Sequence, residues 1–490
     1  MTREPAIMDH WKPALLSLAI QLMLTVSGSQ AVAQKTAEQV NIESNKQLLV
    51  DDFIIEQMTN VTRELGQVTK ENGGKPIFTD GRFYGTVLYD QQRFKLWYRK
   101  HGKEGYGLAE STDGFNFTKK ANLTGINFAG DFTLSVETDP HEKDPGHRYK
   151  GAYDAPGMAA GIAYSADGIR WQLYNNGKPV THRAADTYNQ IFWDSLARTY
   201  RLSTRTDYGT PGGDGEVRGT RSMTNADLRS DPKNWRLTRQ WIFDREGKDE
   251  HKRRQVYAKT FWIYESVYFL ILSVYEYPGD VSEGTTTDNV TRHERDVMNY
   301  YIATSRDGSS WDLGWVYKGQ PLVPRGPASA FDKDLILPAS SIITHKGKHW
   351  IYYGGANERH GTPEVVFKRD HAIGLATLRL DGFIALKAAH KPGTIITKPL
   401  TFKGNRLAVN FASAATGGLA VEIQDQAGNP IPGFSLADCK EIIGDQLEHQ
   451  VQWKQGADIS KLAGKTIRLR FVMKSTNLYS FQFQQQKERP

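Results

Sequence analysis

Three acidic residues stand at comparable points in the first half of the chain. Asp80 precedes the run Tyr84–Tyr89, Asp131 opens Phe132–Glu137 and Asp186 precedes Tyr188–Trp193. Carboxyl groups presented together from neighbouring strands can divide a hydrolytic task, one protonated as general acid and another ionised as base or nucleophile. A third tunes the acid through like-charge repulsion. Each singly reads more readily as an acid on a solvated loop; the recurrence in three successive units narrows that difference. Arg99 and Arg205 each end the second strand of a unit, where a guanidinium can grip a carboxylate or sulfate with two hydrogen bonds. Asp332 and Asp334 offer hard oxygen ligands of the kind calcium takes; no other cofactor is signalled. His293-Glu-Arg-Asp-Val297 lacks the second His of a zinc protease. There is no Gly-x-Ser-x-Gly elbow, no phosphate-binding glycine loop, and a single cysteine, which rules out a disulfide framework.

The elements that must position these residues repeat. Ser111-Thr-Asp-Gly-Phe-Asn-Phe117, Ser165-Ala-Asp-Gly-Ile-Arg-Trp171 and Ser305-Arg-Asp-Gly-Ser-Ser-Trp311 share the form Ser-x-Asp-Gly-x-x-aromatic. Asp-Gly suits a tight turn because Gly accepts positive φ. Thr220–Leu228, with Trp235 behind it, reads as a degenerate fourth copy, and Leu378–Phe383 as a fifth. Paired strand signals sit upstream of each: Tyr84–Tyr89 with Phe94–Arg99, Phe132–Glu137 with Tyr149–Tyr153, Tyr188–Trp193 with Thr199–Thr204, Tyr257–Tyr264 with Val267–Tyr275, and Leu335–Thr344 with His349–Gly354. Radial repetition of four-stranded sheets is one way to protect sheet edges. The expected fold is all-β: a lead-in segment at 34–74, a five-bladed β-propeller at 75–389 and a C-terminal β-sandwich at 393–490, acting chiefly as a buttress.

Lys12 precedes the apolar run Pro13–Val26, and Ala31-Val-Ala33 follows as an A-x-A cleavage pattern, so residues 1–33 read as a signal peptide. The mature chain is then expected outside the cytoplasm (periplasmic, secreted or at the cell surface), with no membrane span after cleavage. The 490 residues carry a net charge of +7, unchanged by removing the leader, which holds Arg3 and Lys12 against Glu4 and Asp9. The basic residues are scattered, apart from His251–Arg254, so nucleic acid is not the expected partner and anionic ligands are favoured.

The segments Lys46–Glu56, Gly85–Asp90 and Leu96–Arg99, with the Ser-x-Asp-Gly turns, resemble secreted bacterial five-bladed propeller proteins distantly similar to glycoside hydrolase families 32 and 43. The tail, from Leu380-Asp-Gly-Phe383 to Leu478-Tyr-Ser-Phe481, looks like the sandwich commonly joined to them. The Trp-Met-Asn-Asp-Pro-Asn-Gly signature of family 32 is absent. The resemblance implies a secreted glycoside hydrolase acting on a poly- or oligosaccharide, with Asp80, Asp131 and Asp186 at the starts of the innermost strands. It draws the general acid from a middle blade, where Glu265 reads as a hairpin-turn residue and Glu276 as the better candidate. Arg99, Arg205, Tyr352, His360 and Asp332 are the expected substrate contacts, Tyr352 and Tyr353 forming a wall for sugar stacking. Asp51 and Asp52 either join the site or brace the ring. The alternative is a non-catalytic carbohydrate-binding propeller at the cell surface.

Overall fold

Runs of β-branched and aromatic residues broken by Gly, Asn and Asp turns leave this chain little but strands to form. The computed structural model describes residues 39–101, 105–126, 133–182, 188–208, 217–244, 252–279, 295–360 and 371–485, all within the unit Glu38–Pro490. The expected leader, Asp131 and Asp186 lie outside the described residues.

Three antiparallel sheets follow one another: Gly81–Asp90, Arg93–Lys100, Tyr106–Ser111 and Thr118–Asn122; then Leu134–Thr138, Tyr149–Ala155, Ala159–Ser165 and Gln172–Leu173; then Gln190–Asp194, Thr199–Tyr208, Val217–Asn225 and Arg236–Trp241. The next strands run on as one eight-stranded sheet whose two halves are joined by a single parallel pair, Met298 with Leu335; the first half, the fourth sheet, contains Arg254–Tyr264, Val267–Glu276 and Val297–Ser305. The fifth contains Leu335–Pro338, Lys348–Ala356 and Ala372–Arg379, and its outermost strand is Thr69–Lys70, from the N-terminal end. Each sheet packs on the next through its own apolar cluster. Trp97 meets Leu134 and Val136 between the first and second; Ile162 meets Leu202 between the second and third; Phe192 meets Leu270 between the third and fourth; Ile271 meets Ile351 between the fourth and fifth. Leu96 meets Ile373 and Leu375 between the first and fifth, which closes the ring.

The Ser-x-Asp-Gly turns staple these interfaces. In all three, the Ser Oγ accepts from the Gly N–H at 2.9–3.0 Å and donates to the Asp carboxylate, which accepts two further backbone N–H groups at 2.7–2.8 Å. Burial would raise the Asp307 carboxyl, but these bonds outweigh it and hold it near 2. Asn225 and Asp227 make part of this pattern in the third sheet, Asn225 Oδ1 accepting from the Asp227 N–H and the Asp227 carboxylate from the Arg229 and Ser230 N–H groups. Gly168 lies against the Trp97 ring of the preceding sheet, and Trp97 donates to its carbonyl at 2.8 Å. A Cβ there meets the ring at 2.7 Å at a φ of +74°, so Gly168→Ala is expected to cost about 1–3 kcal/mol in urea unfolding. Gly157→Ala, at φ +84° with nothing within 4 Å, isolates the backbone part.

On the same face, an acid at the end of each of the first three inner strands binds a base on its own sheet and a tyrosine from the next. Asp90 holds Lys95 at 2.9 Å and Tyr149 at 2.5 Å; Asp139 holds Lys150 at 3.0 Å and Tyr200 at 2.9 Å; Asp194 holds Arg201 at 2.7 Å and Tyr268 at 2.9 Å. The aromatic-basic pairs Phe94-Lys95, Tyr149-Lys150 and Tyr200-Arg201 are its sequence trace.

The segment expected as a separate lead-in is shared between the two halves. Gln47–Leu48 pairs with Ser480–Phe481, Ile55–Thr59 with Gly393–Thr397, and Thr62–Leu65 with Ile384–Ala388, all in the sandwich sheet. The sandwich therefore takes residues before 393 at one end of the chain and before 74 at the other. Its spine is the long antiparallel pair Arg406–Gln424 and Arg468–Gln484, over a core that includes Phe411, Val421, Trp453 and Phe471. The fifth Asp-Gly is a joint between the two halves. Asp381, at φ +61°, is buried and accepts from Tyr264 of the fourth sheet at 2.6 Å and from Ser480 and Asn410 of the sandwich at 2.6 and 3.0 Å.

Candidate active site at the propeller axis

At the axis one polar residue or backbone group from each sheet meets the others. Thr86 of the first sheet bonds Ser340 beside the inner strand of the fifth, and its Oγ accepts from the Val136 N–H of the second at 2.8 Å. Gln190 of the third donates to Glu137 of the second at 3.0 Å, to the Phe261 carbonyl of the fourth at 2.9 Å and to the Ser340 carbonyl at 3.0 Å; its carbonyl accepts from Phe261 N–H at 2.6 Å. These groups sit inside because each finds partners across the axis, the condition for burying polar atoms.

Glu137 is the carboxyl of this group. The residue is half-buried, but its acid group lies deep enough that burial pushes the pKa up, against hydrogen bonds from Gln190 and Ser340, to about 8. A carboxyl that keeps its proton at neutral pH can donate it to a leaving group.

Toward the starts of the inner strands stands an aromatic group. The Tyr257 hydroxyl lies 3.2 Å from His360 Nε2; Tyr257 and Tyr275 meet the imidazole at 5.3 and 5.6 Å, and Tyr188 meets Tyr257 edge-on at 6.3 Å. Buried Arg218 lies over the Tyr275 ring at 5.1 Å, and its backbone N–H donates to Gln255 at 3.2 Å. Gln255 Nε2 has no partner among the described residues and is fully buried, a donor available to a ligand.

The residues singled out in the sequence fall in different places. His360 joins the aromatic group. Arg205 is buried near the end of the second strand of the third sheet, and Arg99 is half-buried at the matching point of the first. Asp80 does not reach the axis: its exposed carboxylate pairs at 2.9 Å with Lys119 of the outermost strand. Glu276 ends the expected strand but faces away from His360; Arg254 at 2.6 Å, Tyr301 at 2.6 Å and Asn299 at 2.7 Å hold it as a paired carboxylate. Tyr275, its neighbour, takes the His360 side. Tyr352 is no sugar wall, because it is buried between the first and fifth sheets and donates to the Gly114 carbonyl at 2.8 Å. Asp332 is buried against Lys70 and Tyr353, fastening the strand that closes the fifth sheet, and Asp334 is paired with Lys333 and Arg359. Each of these acids is already balanced by a cation, an arrangement that does not fit calcium. Glu265 occupies the two-residue turn between Tyr264 and Val267. Asp51 grips Arg306 with both oxygens at 2.8 and 3.0 Å, and Asp52 pairs with Arg63, so both brace the structure.

Glu137 and Gln190 were not singled out in the sequence. Their signal is a charged or amide side chain within an inner strand, since such a group stays buried only where something holds it.

No family model matches the chain, and no curated protein matches it. Among solved structures it is similar to a thermostable family-43 glycoside hydrolase at 15% identity, covering 65% of this chain and 95% of that one with a TM-score of 0.44. It is similar to a family-43 arabinoxylan arabinofuranohydrolase from Bacillus subtilis at 11% identity, covering 86% and 99% with a TM-score of 0.40. An exo-inulinase from Aspergillus awamori follows at 12% identity, 84% and 99% coverage and a TM-score of 0.39. By its own closed ring of sheets and polar axis, the chain is a β-propeller joined to a β-sandwich.

Proposed function

We propose that the protein is an extracytoplasmic hydrolase of glycosidic bonds in a poly- or oligosaccharide, with Glu137 as proton donor at the propeller axis. The observation that carries this reading is Glu137 itself, a carboxyl held at the axis by Gln190 and Ser340, where burial lets it keep its proton at neutral pH. The ionised partner in this reading is Asp131 or Asp186, which precede the inner strands of the second and third sheets. Arg205 and Arg218 suit a carboxylate or sulfate on the substrate. Secretion rests on the leader pattern at residues 1–33. Among the described residues no helix is long and apolar enough to cross a membrane.

The test is a polysaccharide panel with product analysis, followed by a pH profile on whichever glycan is cut. The alkaline limb is expected to fall as pH rises through about 8, where Glu137 loses its proton. A limb set nearer pH 5 removes Glu137 as the donor. Glycan binding without any cleavage instead supports the carbohydrate-binding alternative, which the aromatic group and the buried arginines also suit.

A further inference from the structure

The Gln190 amide fits the axis in one orientation. Its Oε1 accepts from the Phe261 N–H at 2.6 Å, and its Nε2 donates to the Phe261 carbonyl at 2.9 Å and to the Ser340 carbonyl at 3.0 Å. Turning the amide over would set donor against donor at the Phe261 N–H and acceptor against acceptor at both carbonyls. The side chain is buried, so these backbone groups decide which end is nitrogen. The same Nε2 lies 3.0 Å from Glu137 Oε1, and an NH₂ group can only donate. Oε1 is therefore an acceptor, and in the neutral acid the proton sits on Oε2. The charged groups on the strands around Glu137 are engaged elsewhere. Lys150, directly across on the second strand, pairs with Asp139 at 3.0 Å and Glu142 at 3.1 Å, and Asp154 accepts from Thr133 at 3.3 Å. On the neighbouring sheets Asp90 pairs with Lys95 and Asp194 with Arg201, while Lys259 donates to Ser222 at 2.7 Å. Burial raises the Glu137 pKa, and the bonds that oppose it come from two neutral groups, the Gln190 amide and the Ser340 hydroxyl.

We propose that Gln190 is the positioning residue of Glu137, reserving Oε1 as an acceptor so that the transferable proton is carried on Oε2. The role rests on Glu137 being the proton donor of the reading above, whereas the hold on the carboxyl comes from the hydrogen bonds alone. Two measurements on the full chain separate them. Carbon NMR of protein labelled at the Glu carboxyl carbon follows the titration of Glu137, its signal assigned by loss in Glu137→Gln. Kinetics against pH, on the glycan that the panel shows to be cut, follow the reaction. In Gln190→Met the donor that favours the ionised form is gone, so the titration and the alkaline limb are both expected to move to higher pH. The plateau kcat is expected to fall about 10- to 100-fold, the scale of a misplaced catalytic group, with KM kept within about twofold. Gln190→Glu keeps the shape and the oxygen under the Phe261 N–H but loses the amide donor; it is expected to move the limb the same way, and it serves where Gln190→Met fails to fold. A titration that stays in place overturns the proposal whatever the activity, and leaves Glu137 as donor standing. A titration that moves while kcat and the limb stay in place overturns the positioning role and removes Glu137 from the chemistry as well. Loss of stability with an unmoved limb reports a brace between sheets and also overturns it. If the parent cuts no glycan, the functional reading falls and the role of Gln190 in it falls too.

Discussion

Glu137→Gln is expected to lower turnover about 100- to 10,000-fold on the glycan the protein cleaves, with substrate binding retained. Gln has the shape of Glu and keeps an oxygen for the Gln190 amide at 3.0 Å, so the cross-axis bonds survive while the transferable proton is lost. Stability supplies an independent readout. The folded carboxyl holds its proton up to about pH 8, against about 4.5 unfolded, so its contribution is complete below the unfolded value and is lost as pH rises through that window. The variant is expected to show a flatter stability profile between pH 4.5 and 8. Unchanged turnover together with the flattened profile would place Glu137 in the fold and remove it from the chemistry.

The second large effect is structural. Asp194 is fully buried; its carboxylate accepts from Arg201 Nε and Nη2 at 3.0 and 2.7 Å, from the Tyr268 hydroxyl and from the backbone of Leu196 and Ala197. Arg201, also buried, lies over the Phe261 and Tyr268 rings, so it has no route to water if its partner goes. Asp194→Ala is expected to cost about 3–5 kcal/mol, the scale of an uncompensated buried charge. Asp80→Ala, which breaks an exposed pair with Lys119, is expected to cost at most about 1 kcal/mol. Urea unfolding of the two variants side by side measures the contrast, and equal midpoints would contradict it.

That pair also marks how far the sequence could be read. Alternation and turn chemistry are local, and the expected strand pairs from Tyr84–Tyr89 to His349–Gly354 lie in or across the observed strands. The Ser-x-Asp-Gly copies were legible because Ser, Asp and Gly act within a few residues of one another. The division of residues 40–70 between sandwich and fifth sheet was not, because Thr59 finds Thr394, and Thr69 finds Thr377, with nothing local to announce the pairing. The site failed for a different reason. Acids ahead of strands attract notice, yet what matters is which face a strand residue presents, and a shift of one residue reverses it. Glu276 is on the right strand end and the wrong face. Glu137 lay inside a strand already identified, at a position that only the meeting of five sheets turns into an axis.

The outer strand of the fifth sheet has a consequence for biogenesis. Thr69–Lys70 leaves the ribosome some three hundred residues before Ala372–Arg379, and Gln47–Leu48 waits longer still for Ser480–Phe481. Until the C-terminal strands are made, the nascent ring has an open seam with unpaired backbone at both lips, the kind of surface that draws other chains. Closure is thus a late, long-range event that completes propeller and sandwich together. Chains stopped short of Ala372 should accumulate as aggregates, whereas chains cut between two sheets keep both halves of the clasp.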